Sequence, residues 1–261
     1  MGSEMCIRDS ERKMIQALID QCDGIMVMSE ASRALLEQTY RVQSTTDVKT
    51  IKHGHYIDCY PNELTRSQAR ASLDIDESEK VLLALGSIKP YKGHLKLVET
   101  FGKLGLENSR LIVAGGTNNH DYVEVIEAEA ERQRQSSGCQ IDTYLSMVPD
   151  DQLQRYFNAA DVCVLPFENV LNSGSLLMAM SFGIPIIAPA TGSLPEVAFA
   201  EHSILYQSAD PNGLPDAISQ MHRLCLPSNQ RNKYIDRTRN EYRWLKSGES
   251  LVAWYHDLIS S

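Results

Sequence analysis

Eight short apolar runs recur along this chain of 261 residues: 24–29, 48–54, 81–86, 110–116, 139–145, 161–167, 184–189 and 203–207. VLLALG, RLIVAGG, DVCVLPF and IPIIAP read as continuous hydrophobic stretches of strand length rather than alternating ones. A strand that is apolar on both faces must be covered on both faces, which is the condition of a parallel sheet between helical layers. The intervening segments supply those helices. HLKLVETFGKL is apolar at Leu95, Leu97, Val98, Phe101 and Leu104, and DYVEVIEAEAERQRQ and PDDQLQRYFNAA follow the next two strands. The expected fold is therefore α/β, a doubly wound parallel sheet, with ligands gathered beyond the carboxyl ends of the strands.

Three strand-to-helix loops carry more than turn chemistry. GSIKPYKGH, residues 86–94, sets Ser87, Lys89, Lys92 and Gly93 ahead of a helix. Two ammonium groups there can neutralise a phosphate, and Gly93 lets backbone approach it. The ordinary alternative is a solvated loop. NSGSLLMAMSFGIP, residues 172–185, opens a helix on Asn172, Ser173, Gly174 and Ser175 and ends it with Gly183 and Pro185. Ser and Asn cap helices routinely, yet a helix N-terminus without bulky side chains is also an anion site. ATGSLPE, residues 190–196, repeats the pattern with Gly192 and Ser193 before Pro195 and Glu196, which are good helix starters. Two such loops can surround a diphosphate.

His53-Gly54-His55 follows a strand and suits either binding or a structural turn, and Val148-Pro149-Asp150-Asp151 is an ordinary helix start. Met178 and Met180 read as core. The net charge of -9 argues against non-specific nucleic-acid binding. Cys6, Cys22, Cys59, Cys139, Cys163 and Cys225 are scattered, with no CxxC or Cys/His cluster, so reduced thiols in a cytoplasmic protein and no metal site are expected. No apolar run reaches the roughly 18 residues of a membrane span. Residues 1–10, MGSEMCIRDS, are polar, lack the core of a secretory signal, and read as an artefact or tag-like segment.

GSIKPYKG, RLIVAGG, VPDDQLQRYFNAADVCVLPF, SGSLLMAMSFGIPIIAP and GSLPEV, in this order, resemble the C-terminal domain of the family 4 retaining glycosyltransferases, which have the GT-B fold of two Rossmann-like domains. The resemblance spans roughly Val48 to Leu224. It implies a donor-binding Rossmann-like domain over 48–230, a remnant of the acceptor domain or interdomain region over 11–47, and a crossing helix over 231–261. The chain would then be a truncated donor half of a metal-independent enzyme that moves a sugar from a nucleoside-diphosphate sugar to an acceptor hydroxyl with retention. By the same resemblance Lys89 and Lys92 are the catalytic groups on the diphosphate. Ser87, Asn172, Ser173, Gly174, Ser175 and Glu168 belong to the donor site, and the backbone of Val148 meets the nucleobase. No cofactor is implied beyond the donor substrate. A glycan or lipid-linked acceptor is implied, with peripheral membrane contact through the first domain. The family's Glu-x7-Glu motif is replaced here by Val170 and Met178, and Glu168 lies two residues before the first position. Two alternatives follow from the departures: a non-catalytic nucleotide- or sugar-binding module, and a GT-B sugar-nucleotide epimerase.

Overall fold

A computed structural model describes residues 2–224 and 226–260, with side chains described at 10–224, 226–227 and 230–260. Cys225 and the side chain of Cys6 lie outside the described residues; Cys22, Cys59, Cys139 and Cys163 are free thiols. The chain divides into two compact units, one formed by residues up to Gly54 together with those from Tyr242 onward, the other by His55–Glu241.

The first unit pairs β1 (Gly24–Val27) with β2 (Asp47–Thr50) in parallel. Its helices are α1 (Gly2–Ile19), α2 (Glu30–Thr39) and the last helix of the chain, Trp244–Ser260. Ser29 caps α2, its hydroxyl accepting from the N–H of Ser32 at 3.0 Å. Trp254 of the last helix donates its indole N–H to Asp47 at 2.6 Å, and its ring lies over Gly24, where any Cβ would meet it at 2.6 Å. The strand read at 48–54 thus pairs with the one at 24–29 and does not extend the larger sheet.

The second unit holds the larger sheet. Its strands are β3 (Lys80–Leu85), β4 (Ser109–Ala114), β5 (Gln140–Tyr144), β6 (Val162–Val164), β7 (Ile186–Pro189) and β8 (Ser203–Tyr206). They are all parallel, in the spatial order β5-β4-β3-β6-β7-β8. Val81, Leu82, Leu83, Leu111, Ile112, Val113 and Ile187 are fully buried, as continuous apolar strands between helices must be. The covering helices are α3 (Arg66–Ala71), α4 (His94–Leu104), α5 (His120–Ser137), α6 (Leu153–Ala159), α7 (Gly174–Ser181), α8 (Leu194–Val197), α9 (Gly213–Ser219) and α10 (Ser228–Glu241); the last helix of the chain is α11.

The chain leaves β3 outward toward β4 and β5, then returns to lay β6 on the other side of β3. The strand order reverses between β3 and β6, and at such a switch point the two following loops part and leave a crevice at the carboxyl ends. Those loops are the ones that lead into α4 and α7.

At the opposite, amino ends of the same two strands sits an ionic staple. Arg70 is completely buried, and Asp161 holds it at 2.9 Å while also holding Arg66 at 2.8 Å. Among the described residues no helix is long and apolar enough to cross a membrane.

Candidate functional site

The loop after β3 keeps contact with its neighbour beyond the strand: the N–H of Gly86 donates to Ala114 at 3.0 Å and that of Ile88 to Gly116 at 2.9 Å. It then makes a tight helical turn over Pro90–Lys92 and enters α4 through Gly93. Gly93 has φ of 71°, and a Cβ there would lie 2.0 Å from the carbonyl oxygen of Pro166. The turn that carries Lys92 is therefore pressed against the end of the β6 loop, and only glycine permits both the backbone angle and the approach. Gly93→Ala is expected to destabilise the fold by about 1–3 kcal/mol and to abolish any binding that depends on Lys92, read by thermal melting and nucleotide titration.

The loop after β6 enters α7 at Ser173, whose hydroxyl accepts from the N–H of Leu176 at 3.1 Å. Ser173 is thus a working cap. The first turn beside it is built from Gly174 and Ser175, so its N–H groups carry little side-chain bulk of their own. The loop after β7 backs this segment: the N–H of Ser193 donates to Leu171 at 2.8 Å, and Gly192 lies under the carbonyls of Val170 and Leu171. The 190–196 loop supports the α7 mouth from behind.

The two main loops meet at Gly86. A Cβ there would lie 3.1 Å from the Ser175 hydroxyl oxygen and 3.3 Å from Lys92 Nζ, so both side chains converge on one side of the β3 end. Lys92, Asn172, Ser173, Gly174 and Ser175 line one cleft of about 150 Å³, together with Tyr91, Phe167 and Val170. Lys92 Nζ lies 5.7 Å from the centre of the Phe167 ring, a modest attraction for a partly desolvated cation. Burial lowers the pKa of Lys92, and the neighbouring charge of Lys89 lowers it further. Lys92 forms no ion pair among the described residues. The cleft thus contains a half-buried ammonium beside a helix N-terminus, an arrangement that an anion relieves.

His94 opens α4 behind this turn. It is 3% exposed, its Nδ1 makes no hydrogen bond among the described residues, and burial with the nearby Lys92 charge pushes its pKa down to about 4. It is a neutral part of the wall. Lys89 and Ser87 are exposed and lie outside the cleft lining, although the charge of Lys89 reaches Lys92. Glu168 is also exposed; its N–H donates to the carbonyl of Tyr91 at 2.9 Å, which ties the β6 loop to the lysine turn. Val148 lies beyond β5, next to Met147, whose Cα would meet a Cβ on Gly116 at 3.1 Å. It adjoins the β4 end and does not line the cleft. Val170, one of the two positions where a glutamate is replaced, does line it.

Reasoning from the sequence missed Tyr91, Phe167 and the space-keeping role of Gly86. The first two look like ordinary loop and strand residues until β3 and β6 are known to be neighbours. The imidazoles of the 53–55 stretch do not enter the cleft. His53 packs on Trp244 with ring centres 4.9 Å apart, and His55 accepts from the N–H of Ile57 at 3.2 Å.

Comparison with known proteins shows the family and the fold. A model of the family described as "Glycosyl transferases group 1" matches residues 79–223, which hold every residue of the cleft. The D-inositol 3-phosphate glycosyltransferase of Corynebacterium urealyticum is 25% identical over 265 residues, covering 96% of this chain and 60% of that protein. The GDP-mannose:glycolipid 4-beta-D-mannosyltransferase of Xanthomonas campestris is 28% identical over 171 residues, covering 63% of this chain and 44% of that protein. Among solved structures, sucrose-phosphate synthase from Thermosynechococcus elongatus superposes with a TM-score of 0.77 at 23% identity, over 97% of this chain and 62% of its own. HepE from Anabaena, in complex with UDP and glucose, superposes with a TM-score of 0.75 at 14% identity, over 95% of this chain and 67% of its own. The chain spans no more than about 60% of the length of these curated relatives.

Proposed function

We propose a function from one premise: the chain belongs to the glycosyl transferases group 1 family. On that premise its second unit is the donor-binding domain of a retaining glycosyltransferase. The enzyme moves a sugar from a nucleoside-diphosphate sugar to a hydroxyl of a glycan or lipid-linked acceptor. The observation that carries this reading is Lys92, an ammonium half-buried at the mouth of α7 with Ser175 beside it. A nucleoside diphosphate is an anion suited to such a site.

The chemistry asks little more of this domain. As the bond between the anomeric carbon and the diphosphate oxygen breaks, the electron pair stays on the diphosphate and its negative charge grows. Lys92, the N–H groups of α7 and the longer-range charge of Lys89 meet that growth, so the reading is one of metal-independent transfer. The acceptor oxygen forms the new bond on the face the diphosphate leaves. Val170 and Met178 stand where the motif has its two carboxylates, and the main chain of Glu168 ties the β6 loop to Tyr91. Relatives that use D-inositol 3-phosphate or a glycolipid support a polyol or lipid-linked acceptor. The free thiols of Cys22, Cys59, Cys139 and Cys163 suit a reducing, cytoplasmic setting.

Calorimetric titration of the chain with UDP, GDP and ADP tests the reading. Saturable binding of one of them, with the free nucleoside bound far more weakly, is the expected result. Absence of binding by all three at millimolar concentration would sink it.

A further inference from the structure

A pocket of about 460 Å³ opens beside the C-terminal end of α7, lined by the segment 56–62, by Ser181 and Phe182, and by α10. Its floor is fixed. The Ser181 hydroxyl accepts from the N–H of Tyr56 at 2.9 Å and donates to the carbonyl of Leu177 at 2.6 Å, and the Phe182 ring stacks on Phe157 with centres 4.6 Å apart. The segment then turns back on itself. The N–H of Cys59 donates to the carbonyl of Tyr56 at 3.1 Å, Asp58 takes φ of 67°, and the centres of the Tyr56 and Tyr60 rings come within 6.2 Å at a tilt of 43°. The contribution of α10 is one helical stripe, Asn232, Ile235, Asp236 and Arg239, spaced by three and four residues.

The chemistry of this lining narrows the ligand. Asp58 and Asp236 outnumber the one guanidinium, Arg239, which already lies 3.5 Å from Asp58, so an anion meets net repulsion. Among the described residues no three acids, histidines or cysteines gather as a metal site. A wholly apolar ligand would strip water from the acids and amides without replacing it. A neutral ligand rich in hydroxyls suits every part: its C–H faces pack on tyrosine rings, and its hydroxyls meet carboxylates and amides. Asn62 is held for such contacts, since its Oδ1 accepts from Asn158 at 2.8 Å and its own N–H groups are left as the donors. We propose that this pocket binds a neutral oligosaccharide, at a site separate from the Lys92 cleft. Resting on the glycosyltransferase reading above, the bound sugar chain is that of the acceptor. Gly174 and Ser175 line the cleft and Ser181 lines the pocket, so the two lie at opposite ends of α7, a helix ~12 Å long that a short oligosaccharide can span.

The test is titration of the full chain with neutral gluco-, manno- and galacto-tetraoses, followed by NMR, beside its Asp236→Ala and Tyr60→Leu variants. At least one tetraose should bind saturably at millimolar concentration, with the matching single sugar bound more weakly. Asp236 is exposed on α10, so Asp236→Ala should melt like the parent. Its affinity for the tetraose should fall about tenfold, as for loss of one hydrogen bond to a charged group, and Tyr60→Leu should lose severalfold with the ring contact. Saturating nucleoside diphosphate should leave the tetraose affinity of the parent unchanged. Failure of all three tetraoses to bind overturns the proposal, as does binding that neither variant weakens. Displacement of the tetraose by the nucleotide would place the sugar in the Lys92 cleft and overturn it too. Nucleotide titration of the parent is read separately: its failure removes the donor reading and the acceptor assignment, while a tetraose that binds and responds to the variants still establishes the pocket.

Discussion

Lys92→Ala should weaken binding of the nucleoside diphosphate by about a hundredfold, the scale expected when one partner of a desolvated charge pair is removed. The size follows from the surroundings of the ammonium. Lys92 is half-buried, it lies against the Phe167 ring, and the charge of Lys89 repels it. Before the ligand arrives, burial and that repulsion both work against the charged form. An anionic phosphate reverses both effects, and the side chain gains more than an exposed lysine would. Lys89→Ala is the internal control. Lys89 is exposed, so its charge is screened, and its removal should cost only a fewfold that shrinks further in salt.

The same reasoning fixes a pH dependence. In the free protein the pKa of Lys92 lies below the ordinary 10.5, and a bound diphosphate raises it again. Affinity is therefore complete below the free-state value and falls as the pH rises between the free and bound values, with a proton taken up on binding in that window. Titrations from pH 7 to pH 10 should record this decline in the parent and not in Lys92→Ala. A decline of equal size in both would remove Lys92 from the site.

The fold was readable because each buried strand is written as a continuous apolar run, and tertiary context overrides little in such segments. Lys92 and the Asn172–Ser175 loop were readable as candidates because a cation and a helix opening without bulk both suit an anion, beside their ordinary uses as a solvated loop and a cap. Their convergence was not readable. Lys92 and Ser175 meet only because β6 returns to lie beside β3, and no local pattern encodes strand order. For Glu168 the structure adds what no side-chain pattern encodes, a main-chain bond to Tyr91 that joins the two loops. Strand β2 was misplaced because four apolar-flanked residues cannot announce which sheet they will join.

Asp161→Ala should lower the stability of the second unit by about 3–5 kcal/mol, the loss expected when one partner of a buried ion pair is deleted. One carboxylate here serves three donors. Its Oδ1 accepts from Arg66 at 2.8 Å, and its Oδ2 accepts from Arg70 at 2.9 Å and from the N–H of Val81 at 2.8 Å. Arg70 has no route to water, being 0% exposed. Its remaining N–H groups are spent on the carbonyls of Ala159, Asp76, Glu77 and Glu79, all neutral. Without Asp161 the guanidinium stays buried without its ion-pair partner, and burial together with the nearby Arg66 charge already lowers its pKa. The melting temperature should fall by roughly 10 °C, and Asp161→Asn, which keeps one acceptor, should fall by less. The staple sits at the amino ends of β3 and β6, whereas the cleft sits at their carboxyl ends. At temperatures where Asp161→Ala is still folded, its nucleotide affinity should therefore match the parent, the inverse of the Lys92→Ala result. Urea unfolding and calorimetric titration on the same samples measure both quantities. A stability loss under about 1 kcal/mol would mean that the guanidinium finds water or a new anion once Asp161 is gone.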